Sequence, residues 1–158
     1  MEQIQTEHFK KALFLLFDET FEQVHGIILD KGTSMFETLV EISAAEASIP
    51  VGGRCATLAA QVKHVAFYLD VVEEAIRKGE FTRVDWGEIW RTTSEVSPDE
   101  WEGLKLNLRK SYDSVRKLIE EIEDWPNEEK IAEAIALVAH SAYHLGEIRQ
   151  ALCTLKAG

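Results

Sequence analysis

Cysteine is scarce in this chain, with two residues, Cys55 and Cys153, in 158. Two thiols and no C-x-x-C pair make neither a disulfide framework nor a cysteine-built zinc site, and they suit a reducing compartment. Basic charge is also short: 17 Lys and Arg stand against 28 Asp and Glu, a net charge of −11. A nucleic-acid partner needs clustered Lys and Arg, so none is expected. Long hydrophobic runs are missing as well. The longest near the N-terminus, Ala12 to Phe17, falls far short of a bilayer span, and no membrane partner is expected. The polar start, MEQIQTEHFKK, lacks the basic and apolar regions of a secretory signal, which predicts a cytoplasmic protein. There is no P-loop, Rossmann glycine pattern or G-x-S-x-G elbow. Prolines number three, so most of the chain runs without a helix breaker.

What is present is helical periodicity over a length suited to one domain, residues 1–158, large enough to bury its own core. Four long segments carry apolar residues at spacings of three and four. The first runs from about Gln3 to Ile28 through Phe9, Leu13, Leu16, Phe17, Thr20, Phe21, Val24 and Ile28. The second, about Thr57 to Lys78, has the stripe Leu58, Val62, Val65, Leu69, Val72 and Ile76, with Gly79 as C-cap. The third opens on Ser97-Pro98-Asp99-Glu100, an N-cap, a proline at the first helical position and a capping box. It continues through Trp101, Leu104, Leu108, Tyr112, Val115, Leu118 and Ile122 and is expected to end at Pro126. The fourth starts near Asn127 and runs to about Leu155. From Ala132 to Leu145 it is apolar or small nearly all round, which predicts a central, buried helix.

Four such helices and no convincing strand predict an all-α four-helix bundle. The first connection, Gly26 to Ala56, is long and is expected to hold a short helix at Ser34–Ile42. Gly79 to Val96, at about 3.4 Å per extended residue, reaches the length of a helix and can join the second and third helices as parallel neighbours. Only Asp124 to Glu128 reads as a tight antiparallel turn. The expected topology is up-down-down-up.

Histidine carries the chemistry. His140 and His144 are four apart, so they project from one helical face about 5–6 Å from one another at Cβ. A buried imidazole needs a hydrogen-bond partner or a metal. His64 lies mid-helix in QVKHVAFYL, and a bundle can aim residues of two helices at one point. Three neutral imidazoles suit a divalent Zn, Ni or Fe ion and leave a position open, the catalytic rather than the closed structural pattern. Glu147, seven after His140, is a candidate catalytic group: an orienter of a ligand, a general base or a further ligand. Tyr68, four after His64, is placed to line the site. Against this stands the plainer reading that the histidines are satisfied helix residues, Glu147 a charged surface group and Tyr68 part of the core. His8 is expected in solvent. Glu22-x-x-His25 has the form of a di-iron motif, but its second copy is missing. Cys55 and Cys153, each nine residues from a candidate histidine, fall on the opposite face of an ideal helix and are not expected as ligands.

With these residues in view, nearly the whole chain resembles the DinB family of DinB/YfiT-like metalloenzymes. SMFETLVEISAAEAS is similar to that family's segment between the first two helices, and His64 in TLAAQVKHVAFYL to its second-helix histidine. Asp85-Trp86-Gly87-Glu88-Ile89-Trp90 and Trp101 resemble its tryptophan-bearing connection. His140-x-x-x-His144-x-Gly146-Glu147-Ile148 resembles its closing H-x-x-x-H-x-G-Q-I, with Glu where Gln is commoner. The resemblance implies an up-down-down-up bundle, a three-histidine divalent metal site and a homodimer. It also implies a thiol S-transferase or isomerase activity in which a low-molecular-weight thiol, activated at the metal, meets an electrophile. A metal-dependent hydrolase is the second enzymatic expectation. The competing class is a non-catalytic metal-binding or stress-response interaction protein.

Overall fold

The computed structural model describes residues 5–53 and 55–156. Among these the chain is all-helical, with seven α-helices, one short 3-10 turn and no strand. The helices are α1 (Thr6–Phe21), α2 (Met35–Val40), α3 (Ala44–Ala47), α4 (Leu58–Lys78), α5 (Glu88–Thr92), α6 (Pro98–Glu121) and α7 (Glu128–Lys156), with the 3-10 turn at Val51–Gly53 between α3 and α4.

Local chemistry sets most of the boundaries. Thr57 Oγ1 accepts the Ala60 N–H at 3.2 Å at the start of α4. Gly79 ends that helix in the left-handed region at φ 77°, where glycine alone is unstrained. At α6 the capping box forms as expected: Ser97 Oγ accepts the Glu100 N–H, and Glu100 Oε2 accepts the Ser97 N–H at 2.7 Å. At α2, inside the expected Ser34–Ile42 window, Glu37 Oε2 accepts the Ser34 N–H at 3.1 Å. The short helices α3 and α5 were not expected.

Two boundaries differ from the periodicity. The first helix stops at Phe21 rather than near Ile28; its expected start, Gln3, lies outside the described residues. The cause is Glu19, which is fully buried. Its carboxylate accepts the backbone N–H groups of Gly26, Ile27, Ile28 and Leu29 at 2.8–3.1 Å. Burial by itself would raise the pKa of this group, but the four donors outweigh it and hold the carboxyl below its ordinary range. Residues that read as a continued stripe are thus wrapped round a charge. The third helix ends at Glu121, short of Pro126, as Ile122 turns to extended backbone. There Lys10 from α1 donates to the carbonyls of Glu120 and Ile122 at 2.8 and 2.9 Å, a cation at the negative end of a helix.

One apolar cluster holds the chain together. It takes Leu13, Phe17 and Phe21 from α1, Val62, Val65 and Leu69 from α4, Leu108, Tyr112 and Val115 from α6, and Leu137, Leu145 and Ile148 from α7. A fully buried side chain of this kind contributes roughly 1.5–3 kcal/mol. Helix α4 packs on α6 and on α7, and α1 packs on both α6 and α7. Trp101 Nε1–H donates to the Ile42 carbonyl at 2.7 Å, fastening the first connection to α6. The expectation that α7 is buried nearly all round is corrected: Ile135 and Tyr143 are 51% and 62% exposed. The helix has a core face, packed on α1 and α4, and an open face that neither covers. No described helix is long and apolar enough to cross a membrane.

Candidate metal centre

The core stripe of α4 leaves a second ladder at Gln61, His64 and Tyr68, spaced three and four apart and therefore aligned. On α7 the corresponding ladder is His140, Tyr143, His144 and Glu147. Because α4 and α7 pack against each other, the ladders meet. His64, His140 and His144 converge, each offering a ring nitrogen, with these nitrogens within 4.8 Å of one another. His64 and His144 are buried and His140 is half-buried.

The closest approach is between His140 Nε2 and His64 Nε2, at 3.2 Å. Two nitrogens bound tetrahedrally to one ion at about 2.05 Å stand about 3.4 Å apart. The pair is thus spaced as two ligands of one metal are, and the third imidazole, within 4.8 Å of both, needs a shift of at most about 1.4 Å from each neighbour to match. His144 is oriented through its other nitrogen. Its Nδ1 lies 2.7 Å from Gln61 Oε1 and 2.9 Å from Glu147 Oε2. Both are acceptors, so Nδ1 carries the proton and Nε2 keeps its lone pair free. His64 Nδ1 is buried with no partner among the described residues.

Electrostatics favours the ligand form of all three rings. Burial, followed by the nearby His144, lowers His64 and His140 from 6.5 to about 4, Glu147 opposing. His144 is lowered by burial, with Glu147 again pulling the other way. At neutral pH all three imidazoles are neutral donors. The residues present therefore fit a divalent ion in chemistry and in spacing.

Aromatic rings wall the cluster. Tyr68 stacks on His140 with centroids 3.6 Å apart and planes at 19°, which places it at the site as expected. Trp90 of α5 lies over His64 at 4.6 Å, and Trp86 stands 6.3 Å from the same ring. Both tryptophans are about 40% exposed, so they form the rim rather than the core.

Glu147 sits differently from the simplest expectation. It meets His144 rather than His140, its other oxygen accepts the Tyr143 hydroxyl at 2.8 Å, and it is not one of the three converging groups. Its position makes it an orienting partner of His144. Gln61, Tyr143, Trp86 and Trp90 were not named as site residues. For Gln61 the signal was its spacing of three from His64; for the tryptophans it was their spacing of four. Glu22 pairs with Arg109 and His25 hydrogen-bonds Asp18, so the formal di-iron motif splits between two unrelated contacts. Cys153 is an exposed residue of α7. Cys55 precedes α4 and is not helical, so the helical-face argument does not apply to it. Compared with models of protein families, with curated proteins and with solved structures, the chain matches none of them.

Proposed function

We propose that this protein is a divalent-metal protein whose ion is held by His64, His140 and His144, on an up-down-down-up four-helix bundle of the DinB-like type formed by α1, α4, α6 and α7 as one domain. The observation that carries the reading is the 3.2 Å approach of His64 and His140 Nε2 beside a third imidazole whose Nδ1 is held by Gln61 and Glu147. Three ligands on two helices leave a coordination position for chemistry. A bound divalent ion supplies Lewis acidity, favouring the deprotonated form of a thiol or water that reaches it. The chain's own contribution is orientation. Glu147 and Gln61 fix the His144 tautomer, and Tyr68 and Trp90 restrain the other two rings and limit water around them. On this reading the activity is transfer of a small-molecule thiol to an electrophile, with metal-dependent hydrolysis as the related alternative. The resemblance also carries a homodimer, for which exposed Val40, Leu106 and Ile135 offer apolar surface.

A second reading, a non-catalytic metal-binding protein, draws support from the aromatic wall, since Tyr68 and Trp90 already occupy ring faces at the cluster. Metal analysis of untagged protein, followed by a screen of thiols with an electrophile on the loaded and the chelated forms, separates the two. One ion per chain with metal-dependent thiol consumption is the expected result. One ion per chain without turnover of any thiol favours the second reading. No bound ion after loading with Zn, Ni or Fe overturns both.

A further inference from the structure

A cleft of about 470 Å³ lies between α7 and the segment leading into α4, within the size range of small-molecule sites. Gln61 and Glu147, the two residues that hold His144 Nδ1, also line it. The cleft therefore abuts the back of the metal centre, at the edge of His144 that faces away from Nε2.

Gly146, an exposed residue inside the long helix α7, lines it. A Cβ added there meets no atom within 4 Å, so packing does not demand glycine. Glycine in a helix interior is destabilising relative to alanine, and the helix bears that cost where a side chain would project into the cleft. The walls are apolar at Val51, Ala56 and Ala151, and among the described lining residues Glu147 is the one charged group. A cleft with apolar walls, neutral polar groups at Gln61, Tyr143, Gln150 and Thr154, and a single carboxylate, in a chain of net charge −11, complements a cation with an apolar body.

We propose that this cleft binds a small organic amine, its ammonium group on Glu147 and its apolar body over Gly146, and that the bound amine draws Glu147 away from His144. The binding half stands independently of the metal; the coupling half rests on the metal reading above. By linkage, an occupant that weakens the grip on His144 lowers metal affinity, and metal lowers its affinity by the same factor.

Cys55 lines the cleft, whereas Cys153 lines a separate pocket with Glu41 and Arg149, and both thiols are exposed. The chain thus carries its own footprinting probe and its own control. In the full-length, metal-free protein, alkylation of each thiol by iodoacetamide is followed by mass spectrometry with benzylamine, benzyl alcohol or phenylacetate present. Benzylamine at about four times its dissociation constant should slow Cys55 about fivefold, as 1 + [L]/Kd requires, and leave Cys153 unchanged. The alcohol and the carboxylate should protect weakly or not at all. Glu147→Gln should remove the preference for the amine, and Gly146→Leu should remove benzylamine's effect on Cys55. Unaltered Cys55 rates, equal protection by all three probes, or protection by phenylacetate alone would overturn the binding site. Zinc titration of the same protein with and without benzylamine tests the coupling: weaker zinc binding with the amine supports it, and unchanged zinc affinity in a protein that protects Cys55 overturns it. Failure of zinc, nickel and iron alike to bind sinks the metal reading and the coupling with it, while the Cys55 result still decides the cleft.

Discussion

Two clusters of closely packed rings lie in this protein, and their contrast is instructive. In the first, Phe17, Phe21 and Tyr112 pack with centroids 4.9–5.0 Å apart and all three are essentially sealed from solvent. Burial pushes the Tyr112 hydroxyl well above its ordinary pKa, and that oxygen has no partner among the described residues. In the second, His64, His140 and His144 pack with centroids 4.4–5.2 Å apart, under Tyr68 and Trp90. Ring spacing barely distinguishes the two. What differs is that the second cluster brings ring nitrogens within 4.8 Å of one another and has half-exposed indoles at its rim. Apolar burial stabilises the first; in the second, polar ring atoms are held close together at some cost in desolvation.

The contrast is broken or sharpened most strongly by truncation. Phe17→Ala should lower stability by about 3–5 kcal/mol, the range for emptying a buried aromatic site. Tyr68→Ala, at the half-buried cluster, should cost about half as much, because less apolar area leaves water. Urea unfolding of both, metal-free, makes the comparison, and equal losses would mean that the histidine cluster is ordinary core.

Next in size is the response to metal. With free ion at about a hundred times its Kd, wild type should gain about 2.7 kcal/mol, and His144→Ala should gain nothing. The chelated wild type should stay helical and unfold cooperatively, since the apolar core draws on α1, α4, α6 and α7 without the metal. Thermal unfolding of both proteins with ion and with chelator measures this. A chelated wild type that is largely unfolded at room temperature would make the ion a structural staple rather than a site for chemistry.

The smallest effect is that of mild acid on the chelated protein. His64 and His140 stand near 4 when folded and near 6.5 when unfolded. Between those values the unfolded chain binds more protons, so stability is full above pH 6.5 and is lost as pH falls toward 4. At about pH 6 the loss should be on the order of 1 kcal/mol. His140→Gln should flatten the profile, whereas Phe17→Leu should shift it down without changing its shape. Urea midpoints measured across this range are the readout; a wild-type profile as flat as that of His140→Gln would remove the electrostatic half of the contrast.

Legibility along the chain follows the range of the forces involved. Helix starts at Thr57 and Ser97, the Gly79 stop and the alignment of His140 with His144 depend on residues three or four apart, and all were readable from spacing. The early end of α1 was not, because Glu19 is caught by amides seven to ten positions ahead, and periodicity cannot register a carboxylate that gathers a loop. The exposure of Ile135 and Tyr143 was missed for a related reason: apolar composition says what a helix can bury, and the neighbours decide what it does bury. Trp86 and Trp90 were visible as a motif, but their seat over His64 depends on where α5 folds back.

By itself the sequence determined the helical class, the caps and the identity of three candidate ligands, since each is set by local hydrogen bonding and by the 3.6-residue turn. Only tertiary structure decided that His64 comes within 3.2 Å of a ring 76 positions away, that Gln61 and Glu147 take the same nitrogen of His144, and that Gly146 lines a cleft. These depend on the packing of α4 against α7 and on the register between them. That register is set by the whole shared core, because a slip of one residue on either helix turns each ladder by about 100° and parts the imidazoles.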